Sequence, residues 1–467
     1  MSLITIQGAS AGAKVVVTVD GAITDQLATI VTDFSKSLTE EIGGVNGINL
    51  VPGSTNFAGN GIGYGVVTIN GAYDISGNVG AITFGGNTGE GIPDISADIN
   101  GRGITSGFVS VEGGIMGGVK FQAGNYSGTF VGGAGNNAFT GDINVSDSNS
   151  WYVFTGNGDD TVTTGHGKNV VNAGLGKNYI NVHDGQNTIY SYGRDTIYGL
   201  SNDYGQTISI HGGNSVINVG SNSYIESLTE GWSEDNITVG SNSTVVGGTA
   251  DRVSLSGGIS TVISSINDTI SASNDAWIQW GINVNADVAG KLTFVGGYGT
   301  STVTAANTTV YGASEMNMIL NVTSDKYGNS IFSGGTGNET LNASGSEYGV
   351  NAFGNIAGTS GSQVFIGGTG ADTLVAGVGD ATMTGGSGDS NFFAFRDGIA
   401  GGKYVITDFN SAAGNKIVTM FYDENEISNA VNGQTHSNGN TTITLSDHSQ
   451  ITFTNVDQIK GSDFVIW

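Results

Sequence analysis

The sequence predicts an all-β fold, a parallel β-solenoid, from three observations. Nine-residue units recur in register along the chain. Glycine supplies 80 of the 467 residues, far above ordinary usage. Apolar residues reach 37% while charged residues stop at 12%, so short strands can bury a core with few charges to exclude.

Residues 1–130 read as a β-rich N-terminal region with one helix. Leu3, Ile4 and Ile6, then Val15, Val16, Val17 and Val19, have strand character. Ile23, Leu27, Ile30, Val31, Phe34, Leu38 and Ile42 are spaced by three or four, apart from the Ile30–Val31 pair. That spacing predicts an amphipathic helix over 23–42, which Gly43 and Gly44 end. Short β-segments follow, at 65–69 and 81–84 among others, between Gly and Asn turns.

Residues 131–393 are assigned to the solenoid. Four units fill 155–190: TGNGDDTVT, TGHGKNVVN, AGLGKNYIN and VHDGQNTIY. A second block, GGTGADTLV, AGVGDATMT and GGSGDSNFF, fills 367–393, with single units at 132–140 and 334–342. Position 4 is always Gly, the residue that tolerates the positive φ of a tight turn. Position 8 is always apolar: Val162, Val171, Ile180 and Ile189, then Leu374, Met383 and Phe392. One unit cannot bury its apolar face alone. Two units form a coil of about 18 residues, and stacked coils form a continuous core.

Glycine thins over 394–467 and strands lengthen, at 404–407, 416–420, 441–445 and 450–453, with a short helix expected at 424–431. This stretch reads as a C-terminal β cap on the solenoid.

The unit at 367–375 fits G-G-x-G-x-D-x-U-x at every defined position. Ca²⁺ takes six to eight oxygen ligands. Turns at Gly367, Gly368 and Gly370 expose backbone carbonyls, and Asp372 adds a carboxylate. Asp380 and Asp389 stand at position 5 of the next two units. In the first block, position 6 holds Asp160, Asn169, Asn178 and Asn187. An amide oxygen brings no charge to a cation, so a hydrogen-bonded Asn ladder is favoured there, with calcium at Asp159 and Asp160 left open.

Residues 365–467, and more loosely 132–198, resemble repeats-in-toxin (RTX) proteins exported by type I secretion. FFAF at 392–395, YVITDF at 404–409 and NKI at 415–417 look like the junction between β-roll and cap in serralysin-type C-terminal domains. The resemblance does not reach the first 130 residues. It implies a β-roll, calcium-assisted folding outside the cell, an uncleaved C-terminal secretion signal and an extracellular or cell-surface destination. The first residues lack a basic segment followed by an apolar one, so no N-terminal signal peptide is expected.

Other functions are disfavoured. Forty acidic against 14 basic residues give a net charge of −26, which repels nucleic acid. No apolar run approaches the roughly 18 residues of a membrane span. The absence of Cys excludes disulfides and thiolate chemistry. None of the five His sits in H-E-x-x-H, and no G-x-S-x-G or phosphate-binding loop is present, so no enzyme is expected. His166 and His183 read as polar fillers on repeat turns, and Trp151, Trp232, Trp277 and Trp280 as packing residues. The expected function is a secreted, calcium-binding structural protein that assembles with itself into a surface layer, filament or biofilm matrix. The apolar helix face of Ile23, Leu27, Val31, Phe34 and Leu38 is the expected contact. A polysaccharide-binding adhesin, on matrix or cell-surface glycan, is the alternative. A β-helix polysaccharide lyase or epimerase ranks behind it.

Overall fold

The computed structural model describes residues 2–7, 14–19, 46–59, 61–84, 95–113, 117–144, 149–199, 204–313, 315–323, 328–356, 361–388, 390–423 and 425–467. The expected 23–42 helix, with Ile23, Leu27, Val31, Phe34 and Leu38, lies outside them, as does Asp389. The described residues are nearly all β, and their one α-helix is Glu426–Asn432, overlapping the short helix expected there. Two compact units, 1–243 and 244–467, are taken in turn.

The first unit holds an antiparallel hairpin, Ser2–Gln7 with Lys14–Val19. From Asn46–Leu50 onward every strand pairs in parallel with the strand two places ahead, beginning with Gly63–Val67. Two columns result. One runs through Ala138–Thr140, Thr161–Thr163, Tyr179–Val182, Thr196–Gly199, Val216–Val219 and Asn236–Val239. The other runs through Ser127–Val131, Trp151–Phe154, Val170–Asn172, Thr188–Ser191, Thr207–Ile210 and Tyr224–Ser227. Val162 lies beside Ile180 and Val171 beside Ile189, which is the coil of two nonapeptides expected from the repeat. The parallel pairing runs across residue 131 without a break.

Position 8 points inward. Phe139, Val162, Ile180, Ile197, Ile217 and Ile237 form one buried file, and Val153, Val171, Ile189, Ile208 and Ile225 the other. Each such side chain contributes about 1.5–3 kcal/mol on burial. The turns need glycine because coils touch there. A Cβ on Gly174 (φ +64°) would stand 1.8 Å from the Gly156 carbonyl oxygen. On Gly176 (φ +126°) it would stand 1.9 Å from that of Gly158.

The second unit repeats this plan, with two long strands, Asn285–Gly296 and Gly299–Tyr311, paired in parallel. Leu374 and Met383 are buried as position 8 requires. Phe392 is not the inward residue of the third unit. Leu374 pairs with Phe393, which is fully buried, because this unit carries one extra residue before its strand. At the C-terminal end Lys403–Ile406 pairs in parallel with Gln450–Phe453. That strand pairs antiparallel with Asn440–Thr444, so the coil pattern ends in a meander.

Replacing Ile197 by Ala leaves a cavity in a file with no route to collapse. The first unit should lose about 2–5 kcal/mol, read as a lower urea midpoint. A loss below about 1 kcal/mol would contradict the inward file.

Candidate functional site

Position 6, the residue just before each strand, carries a buried polar ladder. In one column the Val119 N–H donates to Asn137 Oδ1 at 2.9 Å, and the Asn137 N–H to Asp160 Oδ1 at 2.6 Å. The Asp160 N–H donates to Asn178 Oδ1 at 2.9 Å, and the Asn178 N–H to Asp195 Oδ1 at 3.1 Å. Ser215 and Asp235 continue it. In the other column the Asn169 N–H donates to Asn187 Oδ1, Asn187 to Gln206 Oε1, Gln206 to Ser223 Oγ and Ser223 to Ser243 Oγ, all at 3.1–3.2 Å. The Asn ladder favoured for the first block is therefore present. The sequence reading missed its extension through Asp195, Gln206, Ser215, Ser223 and Asp235, where the glycine pattern fades. The residual signal is one small polar residue directly before each strand.

The ladder amides have a second role. Asn137 Nδ2 donates to the carbonyl oxygens of Gly133, Gly135 and Thr155 at 3.0, 2.6 and 2.8 Å. Asn187 Nδ2 likewise faces the His183 and Gly185 oxygens at 3.4 and 3.2 Å. The amide NH₂ thus fills a cradle of turn carbonyls. Asp160 occupies the same ladder position but has no N–H to offer. Its Oδ2 is buried without a well-formed hydrogen bond: the Thr155 hydroxyl lies near enough to favour the ionised form but is directed at the Ala173 carbonyl. Burial pushes the Asp160 carboxyl up to about 6. A buried carboxylate oxygen with no donor is a fit for a hard cation. Asp159, next to it, is exposed, and its Oδ1 accepts the Lys177 N–H at 2.9 Å.

The second block is arranged differently. Asp372 is fully buried, but both oxygens are satisfied: Oδ1 by the Val350 N–H at 2.7 Å and Oδ2 by the Gly368 N–H at 3.1 Å. A Cβ on Gly367 would stand 2.1 Å from Asp372 Oδ2, and one on Gly370 2.3 Å from the Gly349 nitrogen, so both positions need glycine. Asp380 Oδ1 accepts the Lys403 N–H at 2.8 Å, away from Asp372's partners. Ladder position 6 of the last unit is filled by Asn391, which accepts the Asp372 N–H at 2.9 Å, and not by Ser390. The sequence read calcium more strongly here than in the first block. The orphaned carboxylate oxygen lies instead at Asp160.

Three further groupings emerge. His166, His183 and Asp184 converge across stacked turns. Trp232 is exposed beside Tyr192, Arg194, Lys177 and Asp159 in a shallow cleft of about 550 Å³. Of the four tryptophans read as packing residues, only Trp151 is buried; Trp232, Trp277 and Trp280 are exposed.

No family model matches the chain, and no curated protein matches it. Among solved structures, the crystal structure of the extracellular lipase from Serratia marcescens is similar at 14% identity, with a TM-score of 0.20. The match covers 54% of this chain and 45% of that one, so less than half the lipase is spanned.

Several buried carboxyls are held above their ordinary range. Burial pushes Glu112, whose Oε2 has no hydrogen-bond partner, up to about 8, and Glu339 up to about 7. Folded values above the unfolded one mean the folded chain keeps protons that the unfolded chain has released. Stability from these groups therefore falls as pH rises from about 4.5 through about 8. In chelator, Glu112→Gln with Glu339→Gln should flatten that decline by about 1–3 kcal/mol, measured by denaturation at pH 5 and pH 8. An unchanged slope would contradict the burial of these acids.

Proposed function

We propose that the chain is an exported, non-enzymatic structural solenoid that associates with copies of itself through uncharged stretches of its outward sheet faces. The observation that carries this reading is the composition of those faces in the first unit. Thr161, Tyr179, Thr196, Val216 and Asn236 stand side by side along one column, flanked by Thr163, Asn181, Tyr198, Asn218 and Thr238. None of the ten is charged, in a chain of net charge −26. Tyr179, Tyr198 and Val216 are each about two-fifths exposed, and the two tyrosine rings lie 5.8 Å apart. Like charge repels two copies that approach by acidic turns. A neutral, aromatic, hydrogen-bonding face offers an approach without that penalty.

Calcium belongs to the same reading. The orphaned Asp160 oxygen, Asp159 and the carbonyl oxygens of the Gly156–Gly158 turn are the residues that would hold it. Bound there, it would supply positive charge where Asn137 and Asn187 use an amide N–H. The repeat motif and the resemblance of 365–467 to RTX proteins support export to an extracellular layer, filament or matrix. The exposed Trp232 and its neighbours Tyr192, Arg194 and Lys177 favour a second reading, a glycan-binding adhesin, because aromatic faces and charged donors suit sugar rings.

Light scattering and electron microscopy during a calcium titration test the first reading. Ordered polymers are expected from the wild type and none from Tyr179→Lys with Tyr198→Lys, whose circular dichroism should stay unchanged. A monomer at every calcium level would overturn self-assembly, and polymers indifferent to both lysines would overturn this face as its contact. Binding of polysaccharide by that monomer, lost in Trp232→Ala, would establish the adhesin. Calcium should raise the wild-type urea midpoint but leave that of Asp160→Asn where it was; an equal rise in both would remove calcium from this turn.

A further inference from the structure

The turn at His166, His183 and Asp184 is unrelated to the ladder cations. His166 and His183 sit one coil apart, and their rings meet edge to face at 4.8 Å between centroids. Asp184 reaches both. Its Oδ2 lies 3.3 Å from His166 Nδ1 and 3.9 Å from His183 Nδ1. The three donor atoms all fall within 4.8 Å of one another. Ligand atoms on a tetrahedral Zn²⁺ stand about 3.3 Å apart, given metal–ligand bonds of about 2.0–2.1 Å. The His166–Asp184 side already has that spacing, and the sides to His183, at 3.9 Å and within 4.8 Å, would draw in on binding.

Two independent features aim the imidazoles inward. His166 Nε2 lies 3.2 Å from the Ile143 carbonyl oxygen. A carbonyl can only accept, so an Nε2–H donating to it would leave the Nδ1 lone pair for an ion shared with Asp184. His183 Nδ1 is shielded from solvent and has no hydrogen-bond partner. The backbone holds this turn in place: the His183 N–H donates to Thr164 Oγ1 at 2.8 Å, and the His183 carbonyl accepts from Asn187 Nδ2.

We propose that His166 Nδ1, His183 Nδ1 and Asp184 Oδ2 bind one divalent transition-metal ion of the Zn²⁺ class, with water completing its shell. Two imidazole nitrogens and one carboxylate oxygen suit Zn²⁺, Cu²⁺ or Ni²⁺. Ca²⁺, which takes six to eight oxygens, does not fit this donor set. The site sits apart from Asp160 and would clip two successive coils together on the turn side.

Isothermal titration of the full chain with Zn²⁺, in excess Ca²⁺, tests it. One equivalent should bind, with affinity reduced roughly tenfold or more in His166→Ala and in His183→Ala, and unchanged in Asp160→Asn. No binding, binding displaced by Ca²⁺, or binding retained in both histidine variants would overturn the assignment. A measurement on the unaltered chain guards against misfolded variants. Zn²⁺ should shield His166 and His183, but not the exposed His436, from diethyl pyrocarbonate, read by mass spectrometry. Equal modification with and without Zn²⁺ would equally overturn it.

Discussion

The backbone N–H just before each strand is the constraint on which the rest depends. At that point the chain leaves a turn and enters the wall, and its N–H faces the neighbouring coil inside the protein. A buried N–H without a partner costs about 1–3 kcal/mol. Stacking many coils would multiply that penalty. The ladder removes it by placing a short polar side chain at the same position of the next coil, as Asn178 does for Asp160 and Asn187 for Asn169. Register follows from this. A one-residue slip would withdraw the acceptor and also turn the isoleucine file outward.

Which polar residue fills the ladder decides the chemistry of each turn. Asn137 accepts from one coil and gives its NH₂ to the turn carbonyls, so its turn is answered by an uncharged side chain. Serine accepts and leaves less behind. Aspartate accepts equally well but brings a charge where the amide brought a donor. At Asp372 the Gly368 N–H turns toward the carboxylate and answers it. At Asp160 the Asn137 N–H answers one oxygen, and no hydrogen bond answers the other. The same ladder therefore contains turns that are closed by themselves and a turn whose carboxylate keeps one oxygen unanswered.

Much of this was legible in the sequence. Glycines at fixed offsets and apolar residues at position 8 specify the coil and its inward file, because both follow from local backbone geometry and burial. The asparagines of 169, 178 and 187 announce the ladder for the same reason. Three things were hidden. Phe393 replaces Phe392 in the core because one inserted residue shifts the unit, and either phenylalanine satisfies an apolar pattern. Asp160 and Asp372 look alike in sequence, but peptide orientation at one turn satisfies only the second. His166 and Asp184 meet through stacking, and their 18-residue separation carries meaning only once the coil length is known.

The outward faces complete the account. Strand residues that neither point inward nor join the ladder are free to vary, yet those of the first unit are threonine, tyrosine, asparagine and valine far more than charge. The inner ladder thus holds a flat neutral face in register from coil to coil. Amide hydrogen exchange on Asn178→Ala is the most direct test of that ladder. The Asp160 amide, which has no other partner, should lose its protection in the variant while the Val162 and Ile180 amides keep theirs. Unchanged protection at Asp160 would contradict the ladder as the interaction that holds the coils in register.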